Sequence, residues 1–425
     1  MGARKRRLKK KALVIPGDPR LKRHTFTQGI VMWGFHFLRT AWAGFRLISS
    51  LLKKLMVREK IDRAPKPETL IQWDLKIGLH KLERPKAADQ EWVWMADHVI
   101  RLGSYKCFVV VGVRMSALRA KSDLTVTLED LEPMAILPMQ VSNGTEVAKR
   151  LEETINKVGF SPAGLVIDHG SDLHAGSKLV AEQYPGMDLK YDVCHKVACE
   201  LKKRLKTDSW EIMTKSATET KKALSMTPFT KFAPPQQRSK ARYMNLDTLV
   251  AWGDKILQKY DELPTKVREK TAWILPIKKD VLLWKEWLEI GRITRDIVRK
   301  EGFYEGVEYL LMDQIIKMNL SESSNEFAEI LVDYVSAESS GIFYEKRMIG
   351  STEALEGLFG GYKRLAGNNK MSTNGLGRLI LCMSSRIGEF SEDLVSEAMT
   401  SIKCKDVKNW LDQAFTLDRG FKEEK

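Results

Sequence analysis

Hydrophobic spacing changes period along this chain, and each change marks a structural boundary. Residues 24–60 repeat apolar positions at helical spacing, and Pro65 and Pro67 break that pattern. A second helix is expected over 67–82, PETLIQWDLKIGLHKL, with proline at its start and Gly78 inside. From Glu91 the period shortens: EWVWMADHVIRLG and SYKCFVVVGVRMSAL are β-rich runs joined by a turn at Gly103-Ser104. A third strand is expected within LTVTLEDLEPMAILPM. GTEVAKRLEETINKVG (144–159) is an amphipathic helix whose Gly159 suits a C-terminal cap. The short apolar run AGLVID (163–168) reads as a buried strand, followed by a helix over 171–184 and a strand over 188–193. The result is a mixed sheet with helices on its faces, an α/β class.

Between about 195 and 345 the β signal vanishes. TDSWEIMTKSATETKKALSM, NLDTLVAWGDKILQKYDEL and VLLWKEWLEIGRITRDIVRKEG read as helices, separated by loops such as FAPPQQRSKARY. This is a helical insertion within the α/β domain. Helices over 352–366, 375–388 and 391–414 then belong to the α/β core or close over it. The expected organisation is a basic arm over 1–23, a helical helix-turn-helix-like region over 24–85, and the α/β domain over 86–200 and 346–425. The insertion runs over 201–345.

Charge changes this picture more than composition does. The 425 residues are 43% hydrophobic and 29% charged, the balance of a globular and not a disordered chain. The net charge is +15, and residues 1–66, with 18 Lys/Arg against 3 Asp/Glu, hold all of it. Such segregation points to a polyanion, either nucleic acid or an anionic membrane. Residues 29–52 are apolar enough to suggest a span, but Arg39 and Arg46 lie inside it and would be costly in lipid. Seven apart, they share one helix face, so an amphipathic helix buried on one side is expected, with no membrane partner. ARKRRLKKK at the start is followed by Pro16, Gly17, Asp18 and Pro19, not by the apolar run of a signal peptide. Five scattered cysteines without paired CxxC units suit reduced cytosolic thiols and no zinc site.

Three acidic residues stand out. Asp97 interrupts the apolar strand WVWMADHV, where burying a charge is expensive unless it is paired or metal-bound. Alternation puts Val93, Met95 and Asp97 on one face and Trp94, Ala96 and His98 on the other. Asp168 ends the strand AGLVID, at the carboxyl end where open α/β sheets bind ligands. Asp172 competes with it, but has a structural role available in the first turn of the helix behind Ser171. The helix in STEALEGLFGGYKRL offers Glu353 and Glu356. Glu353 falls in the first turn, capped by Ser351 or Thr352. Glu356 lies one turn deeper, with Lys363 two turns further along the same face. Converging carboxylates are what two-metal phosphoryl transfer requires.

Taken together these blocks resemble the DDE transposase superfamily, whose fold is RNase H-like, and particularly the Mutator-like and related bacterial insertion-sequence transposases. The resemblance covers roughly residues 65–415. LVIDHGSDLHAG resembles the second-aspartate block and assigns Asp168. YDVCHKVACELKKRL resembles the block beyond the next strand and brings in Asp192 and His195. STEALEGLFGGYKRL is similar to the third block, which selects Glu356 and gives Lys363 a phosphate contact. The upstream Tyr and Arg of the insertion-sequence motif are replaced by Ile349 and Thr352. The resemblance implies an enzyme that holds Mg²⁺, with Mn²⁺ as substitute, on Asp97, Asp168 and Glu356. It would cleave double-stranded DNA at transposon terminal repeats and join the ends to target DNA. A homo-oligomer on DNA and a cytoplasmic place on the bacterial nucleoid are implied with it. Related insertions stack an aromatic on a base, which makes Trp284 and Trp287 candidates, although two tryptophans three apart on a helix also suit packing. The rival expectations are an RNase H-like nuclease acting on hybrids or junctions, an inactive domesticated DNA-binding protein, and a membrane-surface protein.

Overall fold

The computed structural model describes residues 18–21, 24–58, 64–102, 105–237, 246–366 and 373–413. Most of the basic arm and the Gly103-Ser104 turn lie outside them. The chain forms two compact units. The first draws on Met1–Ala120, Val126–Leu189 and Thr352–Lys425, the second on Lys121–Thr125 and Lys190–Ser351.

The first unit opens with α1 (Gln28–Thr40), α2 (Phe45–Arg58) and α3 (Pro67–Glu83). The sheet region follows with β1 (Trp92–Leu102), β2 (Tyr105–Arg114), α4 (Met115–Arg119), β3 (Leu131–Met139), α5 (Gly144–Val158), β4 (Gly164–Ile167), α6 (Ser171–Gln183) and β5 (Asp188–Tyr191). The second unit is helical: α7 (Val193–Arg204), α8 (Asp208–Leu224), α9 (Leu246–Gln258), α10 (Thr265–Thr271), α11 (Lys278–Glu301), α12 (Val307–Ile316) and α13 (Glu322–Ser339). The first unit resumes with α14 (Glu353–Ala366), α15 (Thr373–Arg386), α16 (Glu392–Ser401) and α17 (Cys404–Gln413).

The fold is thus mixed α/β around a five-stranded sheet of order β3-β2-β1-β4-β5. β1 pairs antiparallel with β2 and parallel with β4, and β2 pairs antiparallel with β3. Alternation along β1 sends Trp92, Trp94 and Ala96 into a core with Leu165 and Ile167 of β4, closed by Leu151 of α5 and Val180 of α6. The helical unit starts at Lys190, some residues before the expected insertion, so α7 belongs to it and not to the sheet. Its core is organised by α11, which contacts α7, α9, α12 and α13.

The single helix expected over 24–60 is two. The chain turns between α1 and α2, and there Trp42 adopts φ +47°, a left-handed conformation unusual for a bulky residue. Among the described residues no helix is long and apolar enough to cross a membrane. α3 differs from a recognition helix in being central: Leu70 and every residue from Trp73 to Leu82 are buried, against α2, α15 and α16. Only its first turns, around Glu68, and its last residue, Glu83, reach the surface.

Gly78, in the middle of α3, has a packing reason. A β-carbon there would run into the Leu381 carbonyl of α15, so glycine lets the two helix backbones meet. Gly78→Ala is expected to lower stability by about 1–3 kcal/mol, the usual cost of overpacking, although alanine favours helix. A melting curve unchanged or raised by this substitution would contradict the close approach.

The same interface buries charge. Arg386 of α15 donates through Nη2 to Asp74 Oδ2 at 2.8 Å, and its Nη1 and the Ser385 hydroxyl both reach Asp74 Oδ1. Lys81 is fully buried, donates to the Ile387 carbonyl, and is pushed well below the usual lysine range by that burial.

Candidate active site

β1 and β4 run parallel in register, ending at the pair Ala96 and Ile167. One step further the neighbours are Asp97 and Asp168. Paired residues of parallel strands point to the same side, and Ala96 and Ile167 both face the α5–α6 core. By the same alternation the two aspartates fall on the opposite face, Asp97 midway along β1 and Asp168 just past the end of β4. Both are half-buried. Each is steered by a nearby amide: the His98 N–H donates to Asp97 Oδ1 at 2.5 Å, and the Gly170 N–H to Asp168 Oδ1 at 3.1 Å.

The carboxylates of α14 divide. Glu353 begins the helix and is exposed, whereas Glu356 is half-buried beside Leu355 and Leu358, both fully buried. This helix packs against β1 and α15. Lys363 is exposed on its last turns. Glu356 thus belongs to an element touching the strand that carries Asp97.

A divalent cation suits paired carboxylates in chemical kind, since hard cations take oxygen ligands. The number of ligands falls short. Among the described residues, no three His, Cys, Asp or Glu side chains are grouped closely enough to hold a metal ion. Two carboxylates are neighbours by strand register, and the third stands on a helix that does not bring it into a group with them.

Asp172 has other partners. It lies in the first turn of α6, where it accepts from the Ser142 hydroxyl and from the Leu173 N–H at 3.0 Å, with Lys106 at 3.7 Å. Burial works to raise its pKa, but the Ser142 hydrogen bond and the neighbouring His98 hold the carboxyl below its usual range. Ser142 Oγ also stands 3.2 Å from His98 Nε2. Burial pushes the His98 imidazole down, against the pull of Asp172. His98 follows Asp97 on the strand and faces the other way, so this polar group ties β1, the loop before α5 and α6 together behind the aspartate pair.

Asp192 and His195 belong to the helical unit. Asp192 is fully buried and caps α7, accepting from the His195 N–H at 3.1 Å, while its Oδ2 lies 3.9 Å from His195 Nε2. The capping role explains the spacing of three between them. Trp284 and Trp287 are buried, 2% and 5% exposed, the first edge-on to Trp210 and the second against Phe327. Both are packing residues of α11.

Sequence reasoning missed two features. Asp74 looks like an ordinary polar position of α3, and only the fold supplies Arg386 as its partner. Trp42 lies between helices where no periodicity weighs on it. No family model matches the chain, and no curated protein matches it.

Proposed function

We propose that the chain is a DDE-type DNA transposase with an RNase H-like core, cutting DNA at transposon ends and joining the freed ends to target DNA. The observation that carries this reading is the parallel register of β1 and β4, which sets Asp97, midway along β1, next to Asp168, just past the end of β4. The order β1, β2, β3, α5, β4, α6, β5, broken only by the short α4 between β2 and β3, supports it, as does the contact between β1 and the helix bearing Glu356.

In this reading Asp97, Asp168 and Glu356 are the residues that would hold Mg²⁺, although Glu356 does not stand in one group with the two aspartates here. When bound, such ions supply Lewis acidity and an activated oxygen nucleophile. The protein's own groups do the rest. The His98 and Gly170 amides orient the two aspartates. Lys363, exposed two turns beyond Glu356, contacts a phosphate of the bound strand.

Duplex affinity comes from the N-terminal helices. No acidic residue occurs from Pro19 to Arg58. On α2, Arg46, Ser50, Lys53 and Lys54 are exposed at spacings of four, seven and eight, a single basic face, while Ile48 and Leu52 seat the helix in the core. Replacing Lys53 and Lys54 together with Gln is expected to weaken binding to every duplex sequence. The slope of log affinity against log salt should become shallower by about 1.8. An unchanged slope would mean that α2 does not meet phosphate.

The enzymatic reading is tested on duplexes carrying the DNA that flanks the gene. Mg²⁺-dependent nicks ending in 3′-hydroxyls, followed by joining of those ends to a plasmid, are expected. Cleavage of RNA–DNA hybrids without any joining would favour the simple nuclease, and no cleavage at all the inactive DNA-binding protein.

A further inference from the structure

We infer that the outer face of α12 pairs with the same face of a second copy of this chain, the two helices meeting antiparallel about a two-fold axis. This pairing goes beyond the transposase reading and does not depend on it. It also differs from the oligomer that the resemblance implies, since it needs no DNA.

α12 has the composition of a buried helix and the position of a surface one. Seven of the ten residues in VEYLLMDQII are apolar or aromatic, yet only Val307 and Leu311 are buried, and the helix rests on α11 and α13 alone among its main neighbours. A helix apolar all round is ordinarily enclosed by protein. Here Tyr309 is 67% exposed and Ile316 77%, with Leu310 and Met312 exposed beside them. Tyr309, Met312 and Ile316 are spaced three and four apart, so they form one stripe along the helix.

Apolar surface continues past the helix start. Phe343 and Tyr344, which follow α13, are exposed as well. The Tyr344 ring stands edge-on to Tyr304, two residues before Gly306, the N-cap of α12. Arg347 lies over the Tyr344 ring and donates to its hydroxyl at 2.6 Å. Taking a large side chain at about 150–250 Å², the six exposed residues present on the order of 700 Å². That exceeds the largest patch of a typical monomer, about 300–600 Å², and approaches the roughly 800 Å² each partner gives a standard interface. Tyrosine, phenylalanine, methionine and arginine are the residues such interfaces favour.

Charge selects the occupant. From Glu305 to Lys317 the chain carries Glu305, Glu308 and Asp313 against a single base, Lys317. Such a surface repels a phosphate backbone and an anionic membrane alike. Asp313 and Lys317 run along one flank of the stripe, one helical turn apart, exposed and paired at 2.6 Å. Antiparallel pairing about a two-fold axis brings like flanks together. Asp313 of each copy then comes opposite Lys317 of the other, and two separate ion pairs become a group of four alternating charges. A face complementary to itself in shape and charge is what a second copy requires.

The test is sedimentation of the full chain, without DNA or added metal, over a wide range of concentration, with melting measured on each variant at dilution. The wild type is expected to pass from monomer to dimer at about micromolar concentration, the loose end for an interface of this size. Ile316→Glu should raise the dissociation constant by at least about thirtyfold, the scale of a residue central to an interface, and leave the melting of the monomer unchanged. Leu179→Glu, at an exposed apolar position of α6 in the other unit, should dimerise as wild type does. Asp313→Lys and Lys317→Asp should each dimerise about tenfold more weakly alone, because like charges then face each other. An equimolar mixture of those two variants should recover the wild-type affinity as a heterodimer, with lysines opposite aspartates on both sides. A wild type that stays monomeric at every concentration would overturn the inference. So would an Ile316→Glu variant that still dimerises, or a mixture no tighter than its separate parts. A monomeric wild type whose binding to anionic vesicles is lost in Ile316→Glu would assign the face to a lipid surface instead.

Discussion

Asp97→Asn is expected to abolish metal-dependent strand cleavage, a loss of about a thousandfold or more, equivalent to roughly 4 kcal/mol of barrier. The substitution is nearly isosteric. Asparagine's side-chain oxygen can still accept from the His98 N–H, so the strand should not be disturbed. What disappears is one negative charge beside Asp168, and with it much of the attraction for a divalent cation. Duplex binding should hold or tighten slightly, since a charge that repels phosphate has gone. Glu356→Gln should behave alike. Glu353→Gln, at the exposed start of α14, should keep most cleavage and lose only about 0.3–1 kcal/mol of stability through the helix dipole. Plasmid nicking in Mg²⁺, duplex binding and thermal melting, measured on the same preparations, separate these outcomes. If Glu353→Gln is the dead variant, the third carboxylate is misassigned by one helical turn. If Asp97→Asn cleaves normally, the site lies elsewhere.

Arg386→Met should cost about 3–5 kcal/mol of stability, because it strands a buried carboxylate. Asp74 and Arg386 are both essentially inaccessible to water. Burial disfavours the guanidinium charge, yet Asp74 beside it holds the Arg386 pKa above its usual value. Removing the arginine leaves Asp74 with the Ser385 hydroxyl, which cannot replace a full charge. A melting temperature lower by roughly 6–20 °C is expected for a unit of this size. The double variant Asp74→Leu/Arg386→Met should recover most of that loss, since apolar pairs of similar volume are tolerated where an unpaired ion is not. A single variant as stable as wild type, or a double variant worse than either single, would show that the pair does not act as a unit.

Much of the sheet was legible because its strands are short apolar runs bounded by turn residues. AGLVID and WVWMADHV each carry one acid against an apolar background, and strand alternation alone assigned Asp97 its face. The helical stretches were legible as helices, but their breaks were not. Residues 24–60 contain no proline, and the turn at Trp42 is set by tertiary seating. The helices α16 and α17 were read as one for the same reason. The centrality of α3 was hidden because Asp74, Lys76, His80 and Lys81 look like solvent positions; all four are buried, as α15, α16 and α17 cover the helix from far along the chain. His195 and Asp192 were noticed for their spacing, which serves a helix cap in the other unit. Whether Glu356 joins the aspartates depends on helix placement, and no periodicity reports that.

The distance along the chain between Asp74 and Arg386, 312 residues, has a consequence for biosynthesis. At about 5–20 residues per second, a ribosome needs roughly 15–60 s to deliver the arginine after the aspartate has emerged. Throughout that interval α3 lacks both its counter-ion and the helices that cover it, and so does Lys81, whose carbonyl partner lies 306 residues downstream. The faces of α3 that meet α15 and α16 therefore stay uncovered throughout that interval, and the N-terminal helices complete their packing only when those two helices arrive.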